Sequence, residues 1–386
     1  MTPNDLVDFV RDVYTSNAFI PLHAPEFNGN EKQYVSETID STFVSSVGQF
    51  VDEFEKRVVN YTGASAAVAT VNGTAALHTA LHLAGVRRGE IVITQALTFV
   101  ATCNAIHHMG AEPAFVDVSP HSLGMCPKAL DEFLHQHAVL RDDHCVIKCT
   151  GQVARVVMPM HTFGHPVELD ELLTVCQKWN LILVEDAAES LGSLYKGRHT
   201  GTYGDYAALS FNGNKVITTG GGGMVLCKSE ISAERAKHLT TTAKISHPYE
   251  FYHDEAGFNY RMPNINAALG CGQIEKLDTL LQRKRRLALN YLSFFNGTDY
   301  RFVEEPDYAH SNYWLNAVLC PDKESRDQFL KVTNDAGVMT RPAWQLMHLL
   351  PMYSSALRGE LTQSEYIAAR LINLPSSAPP FEQPAP

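Results

Sequence analysis

Leu181-Ile-Leu-Val-Glu-Asp186 is an apolar run that ends in a carboxylate and is followed by small residues, Ala187 and Ala188. A run of that length and composition reads as a buried strand, with Asp186 at its carboxyl end in a largely apolar setting. Working outward, Arg155 to His161 and Tyr206 to Phe211 flank it, and Ile91 to Thr94, Pro113 to Val118, Met224 to Cys227 and Ala66 to Val71 complete a set of β-branched runs. Helix-like segments near 74–85, 98–109 and 167–179 separate several of them. Such alternation predicts an α/β domain around a mostly parallel seven-stranded sheet. Ligands of these sheets gather at the carboxyl ends of the strands. Three polar or glycine-rich clusters fall there: Asn72-Gly73-Thr74, Asp186, and Asn212-Gly213-Asn214-Lys215.

The chain has 386 residues, 45% hydrophobic and 19% charged, which is ordinary globular composition and room for two or three domains. Lys+Arg 31 against Asp+Glu 42 leaves a net charge of −11, which argues against nucleic acid as a partner. The longest apolar stretch, Ile91 to Ala105, is broken by Thr94, Gln95, Thr98 and Asn104, so no membrane span is expected. The opening Met1-Thr-Pro-Asn-Asp-Leu lacks the pattern of a secretory signal, and a cytoplasmic setting is expected. The eight cysteines contain no Cys-x-x-Cys pair and read as reduced core thiols. His161 and His165 have a metal-compatible spacing on a helix, but Phe163, Gly164 and Pro166 argue against a helix, and no metal is expected.

A large domain is expected over 1–262 and a smaller C-terminal α/β domain over 263–386. One long helix is expected near 265–295, from Ile265, Ala268, Leu269, Leu277, Leu280 and Leu281. Its basic run, Arg283-Lys-Arg-Arg286, reads as a solvated helix face. The Pro-rich tail from Leu374 to Pro386 is expected to be irregular.

Chemistry begins at Asn72-Gly-Thr-Ala-Ala-Leu-His78, a strand-to-helix junction whose first amides face the sheet edge. Amides there bind phosphate, or Thr74 or Asn72 simply caps the helix. No G-x-G-x-x-G follows a strand, and Gly213-Asn-Lys-Val216 lacks the features of a P-loop. Lys215, alone, would be an ordinary loop lysine, yet it lies just past a strand and before Thr218-Thr-Gly-Gly-Gly-Gly223. A phosphate cup, a strand-terminal aspartate and a lysine in a tight glycine-rich loop are together what pyridoxal 5'-phosphate requires: anchor, pyridinium partner and Schiff-base amine.

The segments Val71-Asn-Gly-Thr-Ala-Ala-Leu, Glu185-Asp-Ala-Ala-Glu189, Ser210-Phe-Asn-Gly-Asn-Lys215, Thr218-Thr-Gly-Gly-Gly-Gly and Gly257-Phe-Asn-Tyr-Arg-Met262 resemble the DegT/DnrJ/EryC1/StrS family of sugar aminotransferases, in family order and over nearly the whole chain. Phe19-Ile-Pro-Leu-His, Phe43-Val-Ser-Ser-Val-Gly and Gln95-Ala-Leu-Thr-Phe-Val-Ala-Thr-Cys-Asn resemble its LegC branch, as does Gly221 where the wider family usually carries Glu. The resemblance implies the aspartate aminotransferase-like fold type I and a homodimer with shared active sites. It implies that Lys215 carries the cofactor and shuttles the proton, and that Asp186 holds the ring nitrogen protonated. Glu189 would lie near the cofactor's phenolic oxygen, and Phe99 would stack on the ring. Gly73, Thr74 and Ala75, with Ser210, would hold the phosphate, completed by Asn259 of the second subunit. Arg261 would serve the dimer interface or a substrate anion.

What the resemblance implies for the reaction is transfer from L-glutamate to C4 of a nucleotide-linked 2-acetamido-4-keto-6-deoxyhexose, for a legionaminic acid or bacillosamine-type glycan. A sugar 3-aminotransferase and a PLP-binding regulator without turnover are the rivals, while the presence of Lys215 counts against a family dehydratase. The donor carboxylate and the nucleotide phosphates both call for cations. Lys244 and Arg341 are the candidates, with His247 and Trp344 as further substrate contacts.

Overall fold

The computed structural model describes residues 1–380. The expected strands form the spine of a nine-stranded sheet, in the spatial order Ala66–Thr70, Gly223–Cys227, Tyr206–Ser210, Ile182–Asp186, Val153–Met158, Ile91–Gln95 and Glu112–Val116. Pairing is parallel from Tyr206–Ser210 through to Glu112–Val116. Gly223–Cys227 runs antiparallel to both of its neighbours. The two strands beyond the spine, Ala138–Arg141 and His144–Ile147, form a hairpin added to Val153–Met158. Asp142 and Asp143 turn it with φ of 46° and 61°, the left-handed pair a tight hairpin needs.

Alternate residues serve opposite faces. Val184 and Val225 pack with Ala76, Leu77, Ala80 and Leu81 of the helix Gly73–Leu83 on one side, whereas Leu183, Met224 and Leu226 face the cores of the other side. Both faces are therefore covered, which is why these strands read as continuous apolar runs rather than alternating ones. At the Gly223 end the sheet meets the strand-to-helix junction so closely that a Cβ on Gly223 would lie 2.4 Å from the Asn72 carbonyl oxygen.

A second, four-stranded antiparallel sheet has the order Arg301–Phe302, Asn316–Leu319, Leu371–Leu374 and Arg341–Pro342. The first helix, Pro3–Tyr14, packs its Leu6, Val7 and Val10 against Leu287, Tyr291, Val318 and Ile372 of this C-terminal layer. The first residues thus join that layer in space, a return the sequence does not signal. The irregular tail holds for 375–380; the rest of that segment, 381–386, lies outside the described residues.

The single long helix expected near 265–295 is two helices, Asn264–Ile274 and Leu277–Phe295. The side chains at the break are tied to the N-terminal segment: Glu275 accepts from Arg57, Asn30 and Tyr34, and Lys276 donates to the Glu26 carbonyl and pairs with Glu31. These bonds turn the chain where no glycine or proline marks a stop. Of the basic run only Arg286 is exposed. Lys284 is 1% exposed and donates to the carbonyls of Trp314, at 3.1 Å, and Ser376, while Arg283 pairs with Glu26 and Arg285 with Glu305. Of the cysteines, six are buried, Cys126 is half-buried and Cys149 is exposed. Among the described residues no helix is long and apolar enough to cross a membrane.

Gly223→Ala forces a methyl group against backbone that cannot yield, so we expect it to lower the stability of the cofactor-free protein by about 2 kcal/mol in urea unfolding. Burial draws Lys284 down to about 7 from its ordinary 10.5. Between those values the unfolded chain holds a proton that the folded chain releases, so stability from this group rises with pH from about 7 toward 10 and is lost as pH falls. Unfolding of the native protein and Lys284→Met, compared across that window, should show a smaller rise in the variant, the difference being the contribution of Lys284.

Candidate active site

Where the parallel strands end, a cavity of about 320 Å³ opens, bordered by Gly73, Thr74, Phe99, Met160, Asp186, Glu189, Ser210, Lys215, Trp314 and Trp344. Asp186, last in its strand, is 2% exposed. Its Oδ2 accepts from Thr102 Oγ1 at 2.7 Å and its Oδ1 from the Ala188 amide at 3.2 Å. Glu189, one turn on, accepts the Phe163 amide on Oε2 at 2.9 Å and turns Oε1 to Lys215 Nζ at 3.6 Å. That amide is aimed by an unusual backbone: Phe163 has φ of 56°, a left-handed conformation uncommon for a bulky residue, inside the turn Thr162–Gly164.

Lys215 hangs from the loop after Tyr206–Ser210, its amide bonded to the Asn212 carbonyl at 3.0 Å. Its Nζ sits 3.8 Å from the centre of the Trp314 ring, which is itself fixed by an Nε1–H bond to the Asn214 carbonyl at 2.7 Å. Burial pushes all three ionisable groups toward their neutral forms. It draws the Lys215 amine below its ordinary value against the pull of Glu189 and Asp186, raises Asp186, and lifts Glu189 to about 7. A lysine so placed gives up its proton more readily than a solvated one, which favours its use as a nucleophile and base.

The anion end of the cavity is built by close approach. A Cβ on Gly73 would lie 2.9 Å from Ser210 Cβ, so the helix Gly73–Leu83 starts directly upon the strand end that carries the Ser210 hydroxyl. Asn72 caps that helix, its Oδ1 accepting the Ala75 amide at 2.8 Å. The Ala75 amide expected to hold phosphate is thus spoken for by the cap, because it is the third in the helix and lies within reach of the Asn72 side chain. The Gly73 and Thr74 amides have no acceptor among the described residues. Phe99 stands just before the helix Val100–His108, 47% exposed at the cavity rim, with its ring 6.2 Å from that of Trp344. Two open amides, a hydroxyl, a buried carboxylate, a buried amine and an open aromatic face fit pyridoxal phosphate.

Other expected contacts are not gathered by this chain. Asn259 is exposed and accepts from its near neighbour Arg261 at 3.2 Å. Lys244 lies on an exposed two-stranded hairpin with Nζ 4.2 Å from the Phe251 ring, and His247, near its tip, accepts the Glu250 amide at 2.9 Å. Arg341 is turned to Asn334 Oδ1 and to the Thr340 carbonyl, both at 2.9 Å. Of the four substrate candidates only Trp344 borders the cavity. His161 donates through Nε2 to buried Glu185 at 3.0 Å, while its Nδ1 accepts the Val167 amide. The sequence reading missed Thr102 and Trp314. Thr102 lies three residues past Phe99 and was within reach of the motif; Trp314 lies in the C-terminal layer, and nothing local marks it.

Comparison with known proteins accords with this geometry. The model of the DegT/DnrJ/EryC1/StrS aminotransferase family matches residues 25–380. The chain is 35% identical to GDP-perosamine synthase of Escherichia coli O157:H7, over 93% of both chains. Among solved structures it resembles the aminotransferase TlmJ from Streptoalloteichus hindustanus, at 27% identity and a TM-score of 0.83 over 92% of this chain and 93% of that one. It also resembles DesV from S. venezuelae, solved with a ketimine intermediate, at 26% identity and a TM-score of 0.79 over 90% and 89%. The architecture is that of fold type I, as expected, and the cofactor is pyridoxal phosphate. The chain belongs to the DegT/DnrJ/EryC1/StrS aminotransferase family, as a pyridoxal phosphate-dependent enzyme of nucleotide sugars.

Proposed function

We propose that the enzyme moves the amino group of L-glutamate to C4 of a nucleotide-linked 2-acetamido-4-keto-6-deoxyhexose, in the making of a legionaminic acid or bacillosamine-type glycan. The observation that carries the transamination is Lys215 Nζ buried between Glu189 Oε1, at 3.6 Å, and the Trp314 ring, in one cavity with Asp186. The C4 assignment and the sugar type rest on the LegC-like segments Phe43-Val-Ser-Ser-Val-Gly and Thr218-Thr-Gly-Gly-Gly-Gly. A relative that by name makes GDP-perosamine supports a nucleotide-linked amino sugar as product.

Bound pyridoxal phosphate supplies an electron sink and a carrier for the amino group. Lys215 would hold it through Nζ, and the same nitrogen, free once the donor has taken its place, would take and return the proton at the donor Cα. Asp186 would keep the proton on the ring nitrogen, because a buried carboxylate strongly favours a cationic neighbour. Gly73, Thr74 and Ser210 would hold the phosphate, and Phe99 would serve the ring. Trp314 shields Nζ from water on one side. A second copy of the chain would bring Asn259 and the Lys244 hairpin to the site. Tyr249, Phe251 and Tyr252 on that hairpin, 80%, 82% and 62% exposed, favour such a partner, since apolar surface of that size calls for cover.

Turnover of 4-keto and 3-keto nucleotide sugars with L-glutamate tests the assignment: we expect the 4-keto substrate to be aminated, and a faster 3-keto reaction overturns it. Lys215→Ala should lose transamination by roughly a thousandfold or more, since among the described residues no other lysine of the same chain borders the cavity. Asp186→Ala should keep the lysine linkage but lose roughly a hundredfold in rate, and unaltered kinetics would mean that another group serves the ring nitrogen.

A further inference from the structure

Asp186 is backed by a run of hydroxyls. Thr102, in the first turn of the helix Val100–His108, bonds Asp186 Oδ2 through Oγ1 at 2.7 Å, and Thr98 Oγ1 lies 2.8 Å from Thr102 Oγ1. Thr98 and Thr102 have no exposed surface. Chemistry sets the direction of this run. An ionised carboxylate only accepts, so the single Thr102 proton goes to Asp186, and the proton between the two hydroxyls then belongs to Thr98. Its other contacts, Met160 Sδ at 3.2 Å and the Phe99 carbonyl at 3.4 Å, compete poorly with a hydroxyl at 2.8 Å.

Other buried threonines in helices behave differently. Thr38, Thr62, Thr79, Thr240 and Thr333 each return their proton to a carbonyl four residues back, the ordinary fate of a helical threonine. Thr102 spends its proton on a carboxylate from another element instead. We propose that Thr102, supported by Thr98, is a positioning residue: a one-way hydroxyl relay that holds Asp186 ionised and oriented toward the cofactor's ring nitrogen.

The inference rests on the reading of Asp186 as partner of that nitrogen. Four groups face Asp186 besides the relay: Lys215 from the loop after Tyr206–Ser210, Glu189 from the turn after its own strand, His161 from beyond Val153–Met158, and Cys103 beside Thr102. Glu189 opposes ionisation of Asp186. Lys215 and His161 favour ionised Asp186 from a distance, His161 being held by the Val167 amide at Nδ1 and by Glu185 at Nε2. Burial favours the protonated acid, and the Thr102 hydroxyl is foremost among the contacts that resist it. The five residues Thr98 to Thr102 therefore carry both Phe99, for the ring face, and the relay behind the ring's partner.

The test uses the full chain with Thr102→Val, which keeps the shape without the hydroxyl, Thr102→Ser, Thr98→Val and Asp186→Ala. Pyridoxal phosphate is titrated into cofactor-free protein across pH, with quenching of tryptophan fluorescence as the readout, beside the pH profile of transamination. Thr102→Val should weaken cofactor binding roughly tenfold near neutral pH, as expected for loss of one hydrogen bond to a charged group. Activity that needs ionised Asp186 is lost as pH falls through its pKa, so the acid limb should move up by about one pH unit. Thr102→Ser should restore both, and Thr98→Val should shift the limb in the same direction by less. Unchanged binding and an unmoved acid limb in Thr102→Val overturn the relay, as does Thr102→Ser being as impaired as Thr102→Val. If Thr102→Val fails to fold by circular dichroism, Thr98→Val decides: an upward limb supports the relay and an unmoved one overturns it. If Asp186→Ala leaves cofactor binding and its pH dependence intact, the reading of Asp186 fails; if Asp186→Ala loses them while Thr102→Val does not, the relay alone fails.

Discussion

Lys215 shares one cavity with two buried carboxylates, Asp186 and Glu189, and the arrangement of the site follows from satisfying that triad. Bringing three charges out of water is costly unless each finds partners. Here the partners are a hydroxyl from Thr102, the amides of Ala188 and Phe163, and the face of Trp314. Ala188 is local to Asp186, whereas Thr102, Phe163 and Trp314 are brought to the triad from other elements of the fold. The same desolvation that makes the triad costly draws the Lys215 amine below its ordinary value, and stability and reactivity here have one physical origin.

The parallel sheet supplies the framework because its strand ends converge. Asp186 ends one strand, Ser210 ends its neighbour, and Thr70, beside Asn72 and Gly73, ends a third. Gly223 lets the antiparallel strand Gly223–Cys227 pass against the Asn72–Gly73 junction, and Gly73 lets that junction rest on Ser210. The distance between the anion end of the cavity and its carboxylates is thus set by backbone and not by flexible side chains. Trp314 closes the remaining side from the C-terminal layer, whose position is fixed in turn by Lys284 at the Trp314 carbonyl.

Much of this was legible in the sequence, and the rest was not for identifiable reasons. The spine strands and the Asp186 and Lys215 positions could be read because apolar runs ending in a polar residue are local signals. The break at Glu275 and Lys276 could not, since its cause is a set of bonds to Glu26, Asn30, Glu31, Tyr34 and Arg57, more than 200 residues away by the shortest separations. Lys284 looked solvated because its neighbours are arginines, and only the packing of Trp314 and Ser376 about it shows otherwise. The hairpin at Asp142 and Asp143 has no glycine or asparagine to mark it, and its two left-handed residues show only in the structure. Lys244, His247 and Arg341 were chosen by charge alone, and charge does not tell which face of the molecule a side chain serves.

The central claim is that Lys215 and Asp186 operate on pyridoxal phosphate with an amino acid donor. The absorption spectrum of the purified protein with pyridoxal phosphate, before and after addition of L-glutamate, tests it most directly. The account predicts a yellow band from cofactor joined to Lys215 that glutamate converts to the spectrum of the pyridoxamine form. Absence of any yellow band would contradict the assignment of Lys215 and Asp186, and a band that glutamate leaves unchanged would contradict the assignment of the donor.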